Sequence, residues 1–187
     1  MKRTKGEFGY LAYRRKRTIV LVILMLGIVA AVYFGARAYF GTNQNYFSIV
    51  AALLCLPTAK LIVNMIMYLR ARGCSLKAYE KITSAGSVLP GAFDLYLTSE
   101  KHNFALSHAC VADGSVVALT EDPKCDLRAG EQHIRRMMQQ NNFHGYTVKI
   151  FDRVDQYISR LSTLNELSSG TGGKSEQLLQ LFYRISL

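Results

Sequence analysis

The sequence predicts a two-helix transmembrane hairpin joined to a small cytoplasmic α+β domain, with element order α-β-β-β-α-β-α-α and a largely antiparallel sheet. Three features of the 187 residues carry that prediction. Apolar residues concentrate in two N-terminal stretches. Basic residues flank those stretches. The remainder switches between two-residue and 3.6-residue apolar periods.

From Ile19 to Ala36 no residue is charged. About 20 such residues span the ~30 Å hydrocarbon core of a bilayer. The first span is placed at about residues 18–40. A second apolar stretch, at about residues 46–69, contains Pro57, Lys60 and Asn64. A central lysine costs roughly 2.5–3.5 kcal/mol, and each Leu, Ile, Val or Phe returns roughly 0.3–0.6 kcal/mol. The balance permits insertion beside the first span. Gly41 to Asn45 is polar and uncharged, as a tight turn between spans requires.

Residues 1–17 carry Lys2, Arg3, Lys5, Arg14, Arg15, Lys16 and Arg17 against Glu7 alone, and Arg70 and Arg72 follow the second span. The positive-inside rule then puts both termini in the cytoplasm of a multi-pass protein of the cell membrane. The formal charge of +10 is therefore topogenic, and it attracts anionic lipid. Beyond Lys77 the chain is nearly neutral, so no nucleic-acid partner is predicted. The first apolar stretch exceeds a signal-peptide core of about 7–15 residues, and a second span follows it. Cys55, Cys74, Cys110 and Cys125 show no C-x-x-C spacing and read as reduced structural thiols.

Residues 70–167 form the predicted domain. Ser75 caps a helix through Thr83. Residues 85–91 turn, and Phe93 to Thr98 alternates as a strand with Phe93, Leu95 and Leu97 on one face. Asn103 to Val111 is a second strand, Asp113-Gly114 a hairpin turn, and Ser115 to Thr120 a third strand. Asp126 caps a helix to about Asn141. Tyr146 to Phe151 is the fourth strand. Asp152 caps a helix to Glu166. Residues 168–174 read as a flexible linker. Ser175 then caps a final amphipathic helix, 175–187, whose Leu178, Leu181, Phe182 and Ile185 form one apolar face, a candidate partner-binding surface. The helices are expected on a single face of the sheet.

The chemistry-bearing residues are scattered. The order α-β-β-β-α-β is also the core order of PD-(D/E)XK nucleases, for which Glu80, Asp94 and Asp122-Pro123-Lys124 are the candidates. Such a site needs carboxylates and a lysine gathered around a divalent metal, and Pro123 denies the triplet a regular strand position. Phe104, Leu106, His108 and Cys110 share a face by alternation, which makes His108 and Cys110 a candidate ligand or nucleophile pair near His102. Neither reading completes a metal set, so no metal or other cofactor is predicted. SSGTGGKS (168–175) imitates a phosphate loop, but the pattern places its first glycine at Ser168, and a helix rather than a strand precedes it. Lys60 stands apart, with Pro57 one turn before it and Asn64 one turn after, because intramembrane charge usually faces a partner or a wet cavity.

The opening MKRTKGEFGY, followed by two spans with Leu56-Pro57-Thr58-Ala59-Lys60 in the second, resembles an uncharacterised bacterial membrane family. Some of its members carry an "O-linked GlcNAc transferase-like" label. That resemblance covers mainly residues 1–75. It implies a nucleotide-sugar transferase, which generally needs a doubly wound domain, whereas about 117 residues of α+β pattern remain here. The expectation is a membrane-anchored scaffold or partner-binding protein, acting through a protein partner or as a homo-oligomer. The alternative is an enzyme with a divergent compact site, nuclease-like or transferase-like.

Overall fold

The structure, a computed structural model, describes residues 3–41, 46–99, 102–112, 114–167 and 173–187. It divides into two units, Ala12–Arg70 and a second formed by Met1–Leu11 with Ala71–Leu187.

The first unit is a helical hairpin. Helix α1 (Tyr10–Phe40) and helix α2 (Tyr46–Arg70) are each long and apolar enough to cross a membrane. Helix α1 starts well before the expected span and carries the basic run Arg14–Arg17. Arg14 Nε donates to Tyr68 Oη at 3.2 Å, with its guanidinium 5.6 Å from that ring's centre. At the other end Phe40 and Phe47 stack at 5.9 Å. Thr18, Val22, Ala36, Ala51, Thr58 and Tyr68 are buried, whereas Val20, Ile23, Leu53 and Leu56 point outward. Pro57 cannot donate to the Leu53 carbonyl. The neighbouring Thr58 hydroxyl donates to the Leu54 carbonyl at 2.8 Å, so this polar side chain is satisfied within its own helix.

The second unit contains α3 (Leu76–Ser84), β1 (Gly91–Thr98), β2 (Asn103–Ala112), β3 (Ser115–Leu119), α4 (Leu127–Gln140), β4 (Thr147–Phe151), α5 (Val154–Leu167) and α6 (Gly173–Ile185). The element order is the predicted one. The sheet order is β1-β2-β3-β4, antiparallel except for the parallel β3–β4 pair. That pair is parallel because α4 intervenes as a crossover. Ser75 and Asp126 cap α3 and α4, accepting from Ala78 N at 3.2 Å and Ala129 N at 3.0 Å.

The helices cover both faces of the sheet, not one. Ile134 and Met138 of α4 and Leu178, Leu181 and Phe182 of α6 fill one core, while Ala78 and Ile82 of α3 and Tyr157, Leu161 and Leu164 of α5 fill the other. The reason is visible in β2, which is buried at nine consecutive positions, Phe104 to Ala112. A strand covered on both faces cannot keep a polar side.

Two expected caps move. Helix α5 begins at Val154, so Asp152 lies one position outside the cap. Helix α6 begins at Gly173, and Ser175 is buried inside its first turn. Residues 168–172 of the expected linker, residues 42–45 of the inter-span turn and Asp113 of the hairpin lie outside the described residues. Gly114 has a φ of 71°, the left-handed conformation a tight hairpin uses.

The sheet edges are closed. Along β1, Phe93 N donates to Gly6 O at 2.8 Å and Leu187 N to Tyr96 O at 2.9 Å. Along β4, Ile150 N donates to Glu131 Oε1 at 3.0 Å, and Arg135 Nη2 donates to Val148 O at 3.2 Å. Residues 3–11 therefore belong to the folded domain, and the expected basic segment 1–17 divides at Leu11. Phe8 stacks on Tyr79 at 4.2 Å. Lys5 Nζ donates to the Tyr183 and Ser186 carbonyls at 3.1 and 2.9 Å, capping the C-terminal end of α6.

Candidate functional site

The site begins with a failure of alternation. Leu95, Leu97, Phe104 and Leu106 face the α4–α6 core, but Phe93 and Cys110 face the α3–α5 core. The two strands change face together, between the pairs Phe93↔His108 and Leu95↔Leu106. The position passed over is Asp94 opposite Ser107. Asp94 has a φ of 55°, uncommon for any residue but glycine, and this turns the chain over. The predicted shared face of Phe104, Leu106, His108 and Cys110 is thus corrected to two pairs on opposite faces.

Asp94 is buried, at 3% exposure. Its Oδ1 accepts from Cys74 N at 2.7 Å and its Oδ2 from Leu11 N at 3.4 Å, and Gly9 N–H also bonds to it. Leu11 lies in the first turn of α1, where main-chain N–H groups have no helical acceptor. Gly73 lets the chain close over the carboxylate, since a Cβ there would lie 2.9 Å from Oδ1. Burial pushes the Asp94 carboxyl above its ordinary value, opposed by the three amides and by Arg3.

A second carboxylate continues the network. Glu121 Oε2 accepts from Ser75 N at 2.8 Å and from Ser107 Oγ at 3.0 Å, and Glu121 Oε1 accepts from Ser75 Oγ at 2.6 Å. Consecutive amides, Cys74 and Ser75, thus go to two different carboxylates. Together these bonds fasten β1, β2, the end of β3, the start of α3 and the N-terminal segment.

His108 lies on the α3–α5 side. Its Nδ1 shares a hydrogen bond with Tyr157 Oη at 2.6 Å, and its ring packs on Phe93 at 4.2 Å. Burial lowers the imidazole to about 4 and raises the Tyr157 phenol, so the pair is neutral at pH 7. A Cβ at Gly91 would lie 2.7 Å from His108 Nε2. Burial pushes the Cys110 thiol up to about 12. The predicted nucleophile pair therefore has no thiolate, and the imidazole's described bond goes to Tyr157.

Other candidates stay apart. Glu80 is exposed on α3, and Asp122 accepts from Lys124 N at 3.1 Å in the loop after β3. Among the described residues no three His, Cys, Asp or Glu side chains gather as a metal site. Leu178 and Phe182 are fully buried and Leu181 nearly so, with Ile185 packed beside them, so this face is taken by its own domain. Lys60 is exposed on α2, and Asn64 is half-buried.

Sequence reasoning passed over Glu121, Ser107 and Tyr157. Tyr157 sits at an apolar helix position and reads there as plain core. It also passed over an open groove of about 590 Å³ where the β1–β2 end meets α4. His102, Gln132, His133, Arg136 and Gln140 line it above Phe104, and among the described residues its lining contains no carboxylate. His133 is lowered by burial and by Arg136. No family model, curated protein or solved structure matches this chain.

Proposed function

We propose that this chain is a two-span protein of the cell membrane with both termini in the cytoplasm, and that its folded domain is a non-enzymatic binding module. The apolar lengths of α1 and α2 and the basic flanks support the membrane placement. One observation carries the non-enzymatic reading: the domain's buried reactive groups are committed to structure. Asp94 holds main-chain amides, His108 holds Tyr157, and Cys110 keeps its proton. A general base needs a free lone pair within reach of a substrate proton. The groove beside His133 and Arg136 presents donors, which suit an acceptor-rich segment of a protein partner.

Thermal unfolding of the full chain in detergent tests this. Magnesium, manganese, zinc and nucleoside phosphates are expected to leave the midpoint unchanged. A ligand-dependent rise that Asp94→Asn or His108→Gln abolishes overturns the reading that these buried groups serve structure alone. A reporter fused after Leu187 and active only outside the cytoplasm overturns the topology.

A further inference from the structure

The reading of α2 as a membrane span leaves one residue unaccounted for, and this inference rests on that reading. Lys60 lies ten residues before Arg70, about 15 Å along the axis at 1.5 Å per residue. That depth is near the middle of a ~30 Å hydrocarbon core. The four-carbon stem of lysine is too short to carry the ammonium to the headgroups from there.

The hairpin does not supply its counter-charge. Residues 10–70 contain no aspartate or glutamate. The residues α2 buries, Ala51, Thr58 and Tyr68, exclude Lys60, which stands exposed. A second copy of the same hairpin would bring another lysine and no acid. Around Lys60 the exposed face contains Ala52 and Ala59, seven apart, small enough for a neighbouring helix backbone to approach closely.

We infer that this face of α2 docks a transmembrane helix of another protein that carries an aspartate or glutamate at mid-membrane depth, paired with Lys60. Charged residues within spans pair with one another where the bundle interior allows. Complementary charge selects a heterologous partner over self-association.

The test uses the full chain in the membranes of its own cell, with a photo-crosslinking residue at Leu56, which is 71% exposed on the same side. The expected adduct is a transmembrane peptide containing a carboxylate. Lys60→Leu should reduce that adduct to background and Lys60→Arg should retain it. Lys60→Leu makes the helix more apolar, so its loss cannot be a failure to insert. Lys60→Asp should abolish the adduct, and reversing the partner's acid to lysine should restore it. Adducts only to lipid, only to a second copy, or to a peptide without an acid overturn the inference, as does an undiminished adduct in Lys60→Leu. Alkaline carbonate extraction separates the two levels. A wild-type chain released by carbonate overturns the membrane reading itself, whereas a retained chain without the acidic adduct overturns only the pairing.

Discussion

Tyr157 and His108 meet at 2.6 Å across the α3–α5 core, a phenol from a helix holding an imidazole from the central strand. Folding keeps this imidazole neutral down to about 4, whereas unfolded chain takes up a proton near 6.5. Below the unfolded value the unfolded state binds the extra proton, so stability falls as pH drops from about 6.5 to about 4. The loss is roughly 3 kcal/mol at 1.36 kcal/mol per pH unit. Denaturant unfolding of the full chain at pH 7 and pH 4.5 reads this directly. Tyr157→Phe should cost about 1–3 kcal/mol at pH 7, because it leaves a buried ring nitrogen without its partner.

Asp94 produces the opposite slope. Its folded carboxyl holds a proton more tightly than the unfolded one, so stability declines as pH rises from the ordinary aspartate range through the raised folded value. Asp94→Asn should remove that decline and leave the His108 slope intact. Asp94→Ala should cost more than Asn, because it strands the amides of Cys74, Leu11 and Gly9; about 1–3 kcal/mol per buried unsatisfied donor is the scale. Unfolding midpoints of the two variants across pH 4–8 separate charge from hydrogen bonding.

Phe182→Ala tests what the last helix does. A surface kept for a partner would tolerate the truncation. A fully buried phenylalanine should cost about 3–5 kcal/mol. Thermal unfolding of the full chain, set against exposed Gln180→Ala as control, gives the answer.

Glu131 and Arg135 close the β4 edge with side chains rather than a strand. Glu131→Ala with Arg135→Ala should lower stability by about 1–2 kcal/mol and expose an unpaired strand, a template for self-association. Light scattering of the detergent-solubilised double variant should show concentration-dependent growth, and Glu131→Gln, which keeps the acceptor, should not.

The element order was legible because each element keeps its own period for one or two turns or a few strand residues. Ser75 and Asp126 announced their helices through cap chemistry that depends on three residues. The faces were less legible. A period-two reading carries across a strand only while every residue stays extended, and Asp94 does not. Nothing local distinguishes an aspartate that caps main chain from one that binds metal, since both need an acceptor in a turn. The N-terminal segment was hidden by its own charge. Lys5 counts as a topogenic residue in sequence, and only the fold shows it bonded to the Tyr183 and Ser186 carbonyls. Tyr157 and Glu121 act through residues 49 and 46 positions away, beyond any window that periodicity can use.

The contact between Lys5 and the end of α6 also sets a timetable. Its two acceptors lie 178 and 181 residues later in the chain. A ribosome adding about 5–20 residues per second makes them roughly 9–36 s after it adds Lys5. Throughout that interval the free edge of β1 lacks Leu187, and residues 3–11 have no finished surface to lie on. Nascent chains stalled before Phe182 should therefore be cut by protease near residue 8, and released chains should resist.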